Sequence, residues 1–116
     1  MAPALAQAGA RPRDARMGLV LIHGRGATAE GILDLGHALG LPDVALVAPQ
    51  APGMSWWPTS FLAPMAQMEP FVERGLATVD AAVSALVDEG LAPERIALAG
   101  FSQGGCLALE YAGRRG

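Results

Sequence analysis

At 116 residues the chain has room for one small domain and not for two. Hydrophobic residues make up 52% of it and charged residues 16%, well under the ~25% of an average soluble domain, which favours an interior rich in buried sheet. The net charge of −3 offers no basic surface to a phosphate backbone, so nucleic acid is not an expected partner.

The single cysteine, Cys106, has no internal disulfide partner, and no apolar run reaches the ~18 residues of a membrane span. A cytoplasmic protein with no stable membrane insertion is the default expectation. Residues 1–16, MAPALAQAGARPRDAR, lack the basic start and apolar core of a signal peptide and read as a flexible leader ahead of one domain, 17–116.

From Gly18, GLVLIH is a short continuous apolar run, the pattern of a parallel strand buried on both faces. GRGATAEG follows, in which Thr28 can cap a helix carried by Ile32, Leu33, Leu35 and Leu39 and stopped by Gly40. VALVA, Val44 to Ala48, repeats the strand signal and completes a strand, helix, strand unit. The segment 51–70, APGMSWWPTSFLAPMAQMEP, has four prolines and no regular period, and reads as a long loop. From Phe71 to Glu89, Val72, Leu76, Val79, Val83 and Leu86 step by four and three, one apolar stripe of a helix facing a sheet. A third strand, Ile96 to Ala99, leads into a serine turn and a last helix, Gly104 to Ala112. The fold class is α/β with a mainly parallel sheet and helices on both faces.

The chemistry centres on Gly100, Ser102 and Gly104, a GxSxG between a strand and a helix. A serine hydroxyl becomes an effective nucleophile only when a base takes its proton and donors hold the charge that develops on the substrate oxygen. In this setting the glycines permit a sharp turn that lifts the serine above the sheet, and the amide of Gln103 is one natural oxyanion donor. A second should come from a loop after a neighbouring strand. HGRG fits, with Arg25 as the donor and His23, Gly24 and Gly26 shaping the loop. The bland alternative is a tight strand-to-helix connection with an incidental serine. Another class is a dinucleotide-binding module, since Gly24, Gly26 and Ala29 fit GxGxxG/A in GRGATA, although Pro49 and Gln50 stand where an acid should hold the ribose. A non-catalytic interaction fragment is the third reading.

LIHGRGATAEGILDL, SWWPTSFLAPMAQMEP and GFSQGGCLALEYA, in that order, resemble the phospholipase/carboxylesterase family of α/β-hydrolases, relatives of the acyl-protein thioesterases. The resemblance spans Met17 to Gly113. It implies Ser102 as nucleophile, the amides of Arg25 and Gln103 as oxyanion hole, small-molecule esters or thioesters as substrates, and no cofactor or metal. It also implies that GLVLI lies between VALVA and IALAG. Trp56, Trp57 and Phe61 either anchor the long loop or wall an acyl pocket; the residues alone favour anchoring, and the resemblance puts one tryptophan in the pocket on an equal footing with it. Met65 and Met68 suit either role as adaptable fillers, and Cys106 reads as a small core residue.

One part of the family pattern is missing. The triad runs serine, acid, histidine in this fold, yet the fourteen residues after Ser102 contain no histidine or aspartate and only one acid, Glu110. Glu110 lies about 12 Å along the following helix, too far to orient a base at the serine. His23 belongs to the loop and His37 to a polar helical position. The expectation is a member truncated at its C-terminus, weak or inactive as this chain, with the last strand's edge unpaired.

Overall fold

The computed structural model describes residues 4–40, 42–57 and 65–115, with backbone alone at 65–68. Four strands form one sheet: β1 (Leu5–Gly9), β2 (Met17–Ile22), β3 (Val44–Pro49) and β4 (Ile96–Gly100), in the order β1-β3-β2-β4. β2 pairs in parallel with β3 and with β4, and β1 pairs antiparallel with β3. The three helices are α1 (Ala29–Ala38), α2 (Met65–Asp88) and α3 (Gln103–Arg115).

Alternation along the strands sends side chains to two cores. Leu21, Leu46 and Ala48 meet Ala29, Ile32 and Leu33 of α1 on one face. Val20, Ile22, Ala45 and Val47 meet Val72, Leu76, Val79, Ala82 and Leu86 of α2 and Leu107 of α3 on the other. The β2-to-β3 crossover runs one way across the sheet with its helix on the first face. The β3-to-β4 crossover runs back the other way with its helix on the second, so the two share one hand, as parallel crossovers do. The loops after β2 and β4 therefore leave toward opposite faces, and a crevice opens between them at the carboxyl end of the sheet.

Several expectations are corrected. Residues 5–9, assigned to a flexible leader, form β1; LAQAG lacks a clear apolar alternation, and its edge position requires pairing on one side only. α2 begins at Met65, so the end of the expected loop is helical and Pro70 lies inside the helix. As the sixth residue of α2, Pro70 lacks the N–H that would bond four residues back, and its ring crowds the carbonyl there. Leu35 and Leu39 are 53% and 57% exposed, because α1 turns Ala29, Ile32, Leu33 and Gly36 inward instead. Thr28 caps α1 as expected, its side chain accepting from the Gly31 amide at 3.0 Å, and Gly40 ends that helix at φ +64°.

β4 is only half-buried, because among the described residues no strand pairs with its outer side. The far end of α3 is tied down to α2: Arg114 bonds Glu69, Glu73 and Glu110, and Arg115 bonds Asp80. The hydrogen bond from Arg114 holds the Glu69 carboxyl below its ordinary range. The Tyr111 hydroxyl donates to Asp80 at 2.8 Å.

Candidate active site

β4 ends at Gly100, and the Phe101 amide extends its ladder by donating to the Ile22 carbonyl at 3.2 Å. The chain then reverses at Ser102, whose φ of +57° lies in the left-handed region. Such a conformation costs an L-residue about 1–2 kcal/mol and persists only where the surroundings hold it. Here the Gly104 amide closes the turn onto the Phe101 carbonyl at 3.0 Å, and the Cys106 amide makes the first helical bond to Ser102 at 3.2 Å. The turn leaves the serine exposed.

Both flanking glycines are sterically required. A Cβ on Gly100 would lie 2.2 Å from the Gly104 carbonyl oxygen, and a Cβ on Gly104 would lie 2.0 Å from that of Ile22. The first turn of α3 thus sits directly on the end of β2. Because α3 starts at Gln103, that residue's amide is one of the first-turn donors without an intrahelical acceptor, at the positive end of the helix dipole.

The loop after β2 meets the serine turn. Gly24 is buried so closely that a Cβ there would lie 3.0 Å from the Phe101 carbonyl oxygen and 3.3 Å from Ser102 Cβ. The Ala27 amide bonds Gly24 at 3.2 Å, closing a turn whose exposed residues are Arg25 and Gly26, the latter at φ +78°. The structure thus brings Arg25, Gly24 and Gly26 to one side of Ser102 and the start of α3 to the other.

His23 is fully buried and its ring is occupied. Nε2 accepts from the Ala51 amide at 3.0 Å, with Gln50 Nε2 at 3.2 Å, so Nδ1 carries the hydrogen and donates to the Gly24 carbonyl at 2.7 Å. One accepting and one donating nitrogen make a neutral imidazole that holds the loop in shape. His37 is exposed near the end of α1, at the amino-terminal end of the parallel strands, the opposite end from Ser102. Neither histidine is placed to take a proton from the serine.

Trp56 and Trp57 are buried at 4% and 6% exposure and belong to the core. The Trp56 ring stacks on His23 with centroids 5.1 Å apart, and its Nε1 donates to the His23 carbonyl at 2.8 Å. Gln103, also buried, accepts from the Trp56 amide at 2.7 Å and donates to the Trp57 carbonyl at 3.1 Å. Phe61 lies outside the described residues. Ser102 also borders a mainly apolar surface groove of about 660 Å³ with Leu98, Cys106, Leu109 and Ala112, along the side of β4 that no described strand pairs. Cys106 is exposed in this groove, not buried, because it stands one helical turn beyond Ser102 on the same face.

Sequence reasoning missed Gln50 and the side-chain role of Gln103. Gln50 accepts from the Ala29 amide at 2.7 Å and reaches both His23 and the Ala51 carbonyl. The available signal was an uncharged amide side chain placed at the carboxyl end of a buried strand. These contacts also bear on the dinucleotide reading, because the Gly26, Ala29 and Gly31 amides already donate to Met54, Gln50 and Thr28. A diphosphate at this loop would have to displace them. Among the described residues no cluster of three or more His, Cys, Asp or Glu could hold a metal ion, and no helix is long and apolar enough to cross a membrane.

The strand order, the paired crossovers and the strained serine between strand and helix are those of the α/β-hydrolase class, of which the chain forms about half. The family model described as Phospholipase/Carboxylesterase matches residues 7–114. Acyl-protein thioesterase 1 from two strains of Cryptococcus neoformans is 33% identical over 84% of this chain and 49% of its own length. A crystal structure of a phospholipase/carboxylesterase from Dyadobacter fermentans superposes with a TM-score of 0.92 at 40% identity, covering 98% of this chain and 55% of that one. The esterase PE8 superposes at 0.78 with 28% identity, over 96% and 57%. The chain belongs to the phospholipase/carboxylesterase family, and it spans about half the length of the curated relatives it matches.

Proposed function

We propose that this chain carries the nucleophile and the charge-stabilising side of a serine hydrolase acting on small carboxylic esters or thioesters. The observation that carries the reading is Ser102 held at φ +57° at the mouth of the turn, with the Gly24 loop packed against it. Ser102 Oγ attacks the substrate carbonyl carbon, its proton passing to water, which returns a proton to the leaving group on collapse, and the carbonyl oxygen gains the negative charge. The amides of Gln103 and Arg25 donate to that oxygen, a contribution of about 2.7–4 kcal/mol per donor in comparable enzymes. Collapse of the tetrahedral intermediate expels the alcohol or thiol and leaves an acyl-serine, which water then hydrolyses.

The proton acceptor is neither His23, whose nitrogens are both engaged, nor the distant His37. The 116 residues alone are therefore expected to turn over slowly, on oxyanion stabilisation and binding without a positioned base. A cytoplasmic setting with no nucleic-acid partner accords with the acidic charge and the single free cysteine.

The test is hydrolysis of matched p-nitrophenyl esters and acyl thioesters by the full natural polypeptide and by its Ser102→Ala variant. Loss of turnover in the variant supports the proposal. Turnover unchanged in the variant removes it.

A further inference from the structure

We infer that Trp56 is a positioning residue that fixes the distance between the two proposed oxyanion donors, and not a wall of the acyl pocket. The inference rests on the hydrolase reading above.

The two donors sit on loops that diverge. Arg25 follows β2 and leads toward α1 on one face, and Gln103 follows β4 and leads α3 onto the other. Their backbones meet where Gly24 approaches Phe101 and Ser102 and where Gly104 lies against the Ile22 and His23 carbonyls, close contacts made without side chains of their own. Trp56 spans the gap from below. Its amide donates to Gln103 Oε1 at 2.7 Å, its indole N–H donates to the His23 carbonyl at 2.8 Å, and its ring stacks on the His23 imidazole. His23 in turn bonds the Gly24 carbonyl, the hinge of the turn that presents Arg25.

One residue is therefore bonded to the side chain of one donor residue and, through His23, to the turn that carries the other. All of these groups are buried, so water does not readily substitute for a lost bond, and loosening one end moves a donor. A buried amide side chain such as that of Gln103, directly after a nucleophile, would be an odd choice for packing alone. It is accounted for by the acceptor and donor it supplies to the Trp56-Trp57 backbone.

The geometry sets the expected effect. Trp56→Phe keeps a ring to stack on His23 but removes the indole N–H together with the volume of one fused ring. Removing an oxyanion donor outright costs about 10²- to 10³-fold, and displacing a catalytic group by ~1 Å costs up to about 10²-fold. The variant should lose about 10- to 100-fold in kcat. KM and the ranking of acyl chain lengths should stay within about two-fold, because the indole is buried in the core at 4% exposure. A pocket wall would give the reverse: a changed ranking and KM with kcat largely kept.

A second measurement needs no turnover. In amide spectra of the full natural polypeptide, Trp56→Phe should shift the signals of Gly24–Gly26 and of Ser102 and Gln103 together, leaving the far end of α1 unmoved. Changes confined to residues 54–57, or a kcat within two-fold of wild type, would overturn the inference. If wild type shows no Ser102-dependent turnover, the hydrolase reading fails, and the amide shifts alone decide whether Trp56 couples the two loops. Should Trp56→Phe fold poorly, Gln103→Met breaks the other end of the same link. It should give the same split between kcat and KM, with the double variant no worse than the poorer single one.

Discussion

Gly104 and Gly105 are neighbours at the start of α3, and alanine at the two positions should act with opposite sign. At 104 the new Cβ would lie 2.0 Å from the Ile22 carbonyl oxygen and 2.5 Å from that of His23. An ordinary carbon-to-oxygen contact is about 3.3–3.6 Å, so helix and strand must separate by about 1.3 Å. Both obstructing atoms are backbone, and no side chain can turn aside. Overpacking of this kind costs about 3 kcal/mol at the upper end of its usual range, against ~1 kcal/mol gained from replacing a helical glycine. The net loss is about 2 kcal/mol, a fall in Tm of about 8–16 °C for a domain of this size. At 105 the Cβ meets nothing nearer than the Gly100 oxygen at 3.4 Å, an ordinary contact, so Gly105→Ala should stabilise by about 0.5–1 kcal/mol. Urea and thermal unfolding of the two variants beside wild type read this directly. A Gly104→Ala protein as stable as wild type, or a Gly105→Ala protein that falls as far, would refute the claim that α3 rests on the end of β2 at the Gly104 backbone.

Other outcomes follow from single contacts. Tyr111 is the chain's only tyrosine, and burial, followed by its bond to Asp80, raises its pKa to about 12. Because the folded-state value lies above the ordinary 10.0, the neutral phenol adds stability that is complete below pH 10 and is lost as the pH rises toward 12. Ultraviolet titration of the phenolate should centre near 12, and a midpoint near 10 would show the contact absent in solution. Thr28→Ala should cost about 1 kcal/mol by freeing the Gly31 amide, whereas Thr28→Ser should cost little; equal unfolding midpoints for Thr28→Ala and wild type would contradict the cap.

The parts of this fold most legible in the sequence are those where burial dictates composition. GLVLI and VALVA announce themselves because the inner strands of a parallel sheet are covered on both faces and tolerate little else, and IALAG carries the same apolar run although it is half-buried at the end of the described sheet. β1 does not, since an edge strand answers to a single neighbour and LAQAG carries no forced pattern. The beginning of α2 is hidden by Pro70, which marks a break in a local reading and yet lies inside the helix. Gly100 and Gly104 were readable from spacing alone, because a turn this tight admits no Cβ at either position. The direction in which Trp56 points was not readable. An aromatic residue in a loop can face a ligand or the core with the same sequence around it, and only the bonds to His23 and Gln103 separate the cases. Cys106 shows the same limit, as the face of α3 it occupies depends on what covers β4.

The central claim is that Ser102 is the nucleophile. A fluorophosphonate probe added to the full natural polypeptide, followed by peptide mass spectrometry, should place a single adduct on Ser102, and Ser102→Ala should remain unlabelled. An adduct on another residue, or equal labelling of Ser102→Ala, would contradict it.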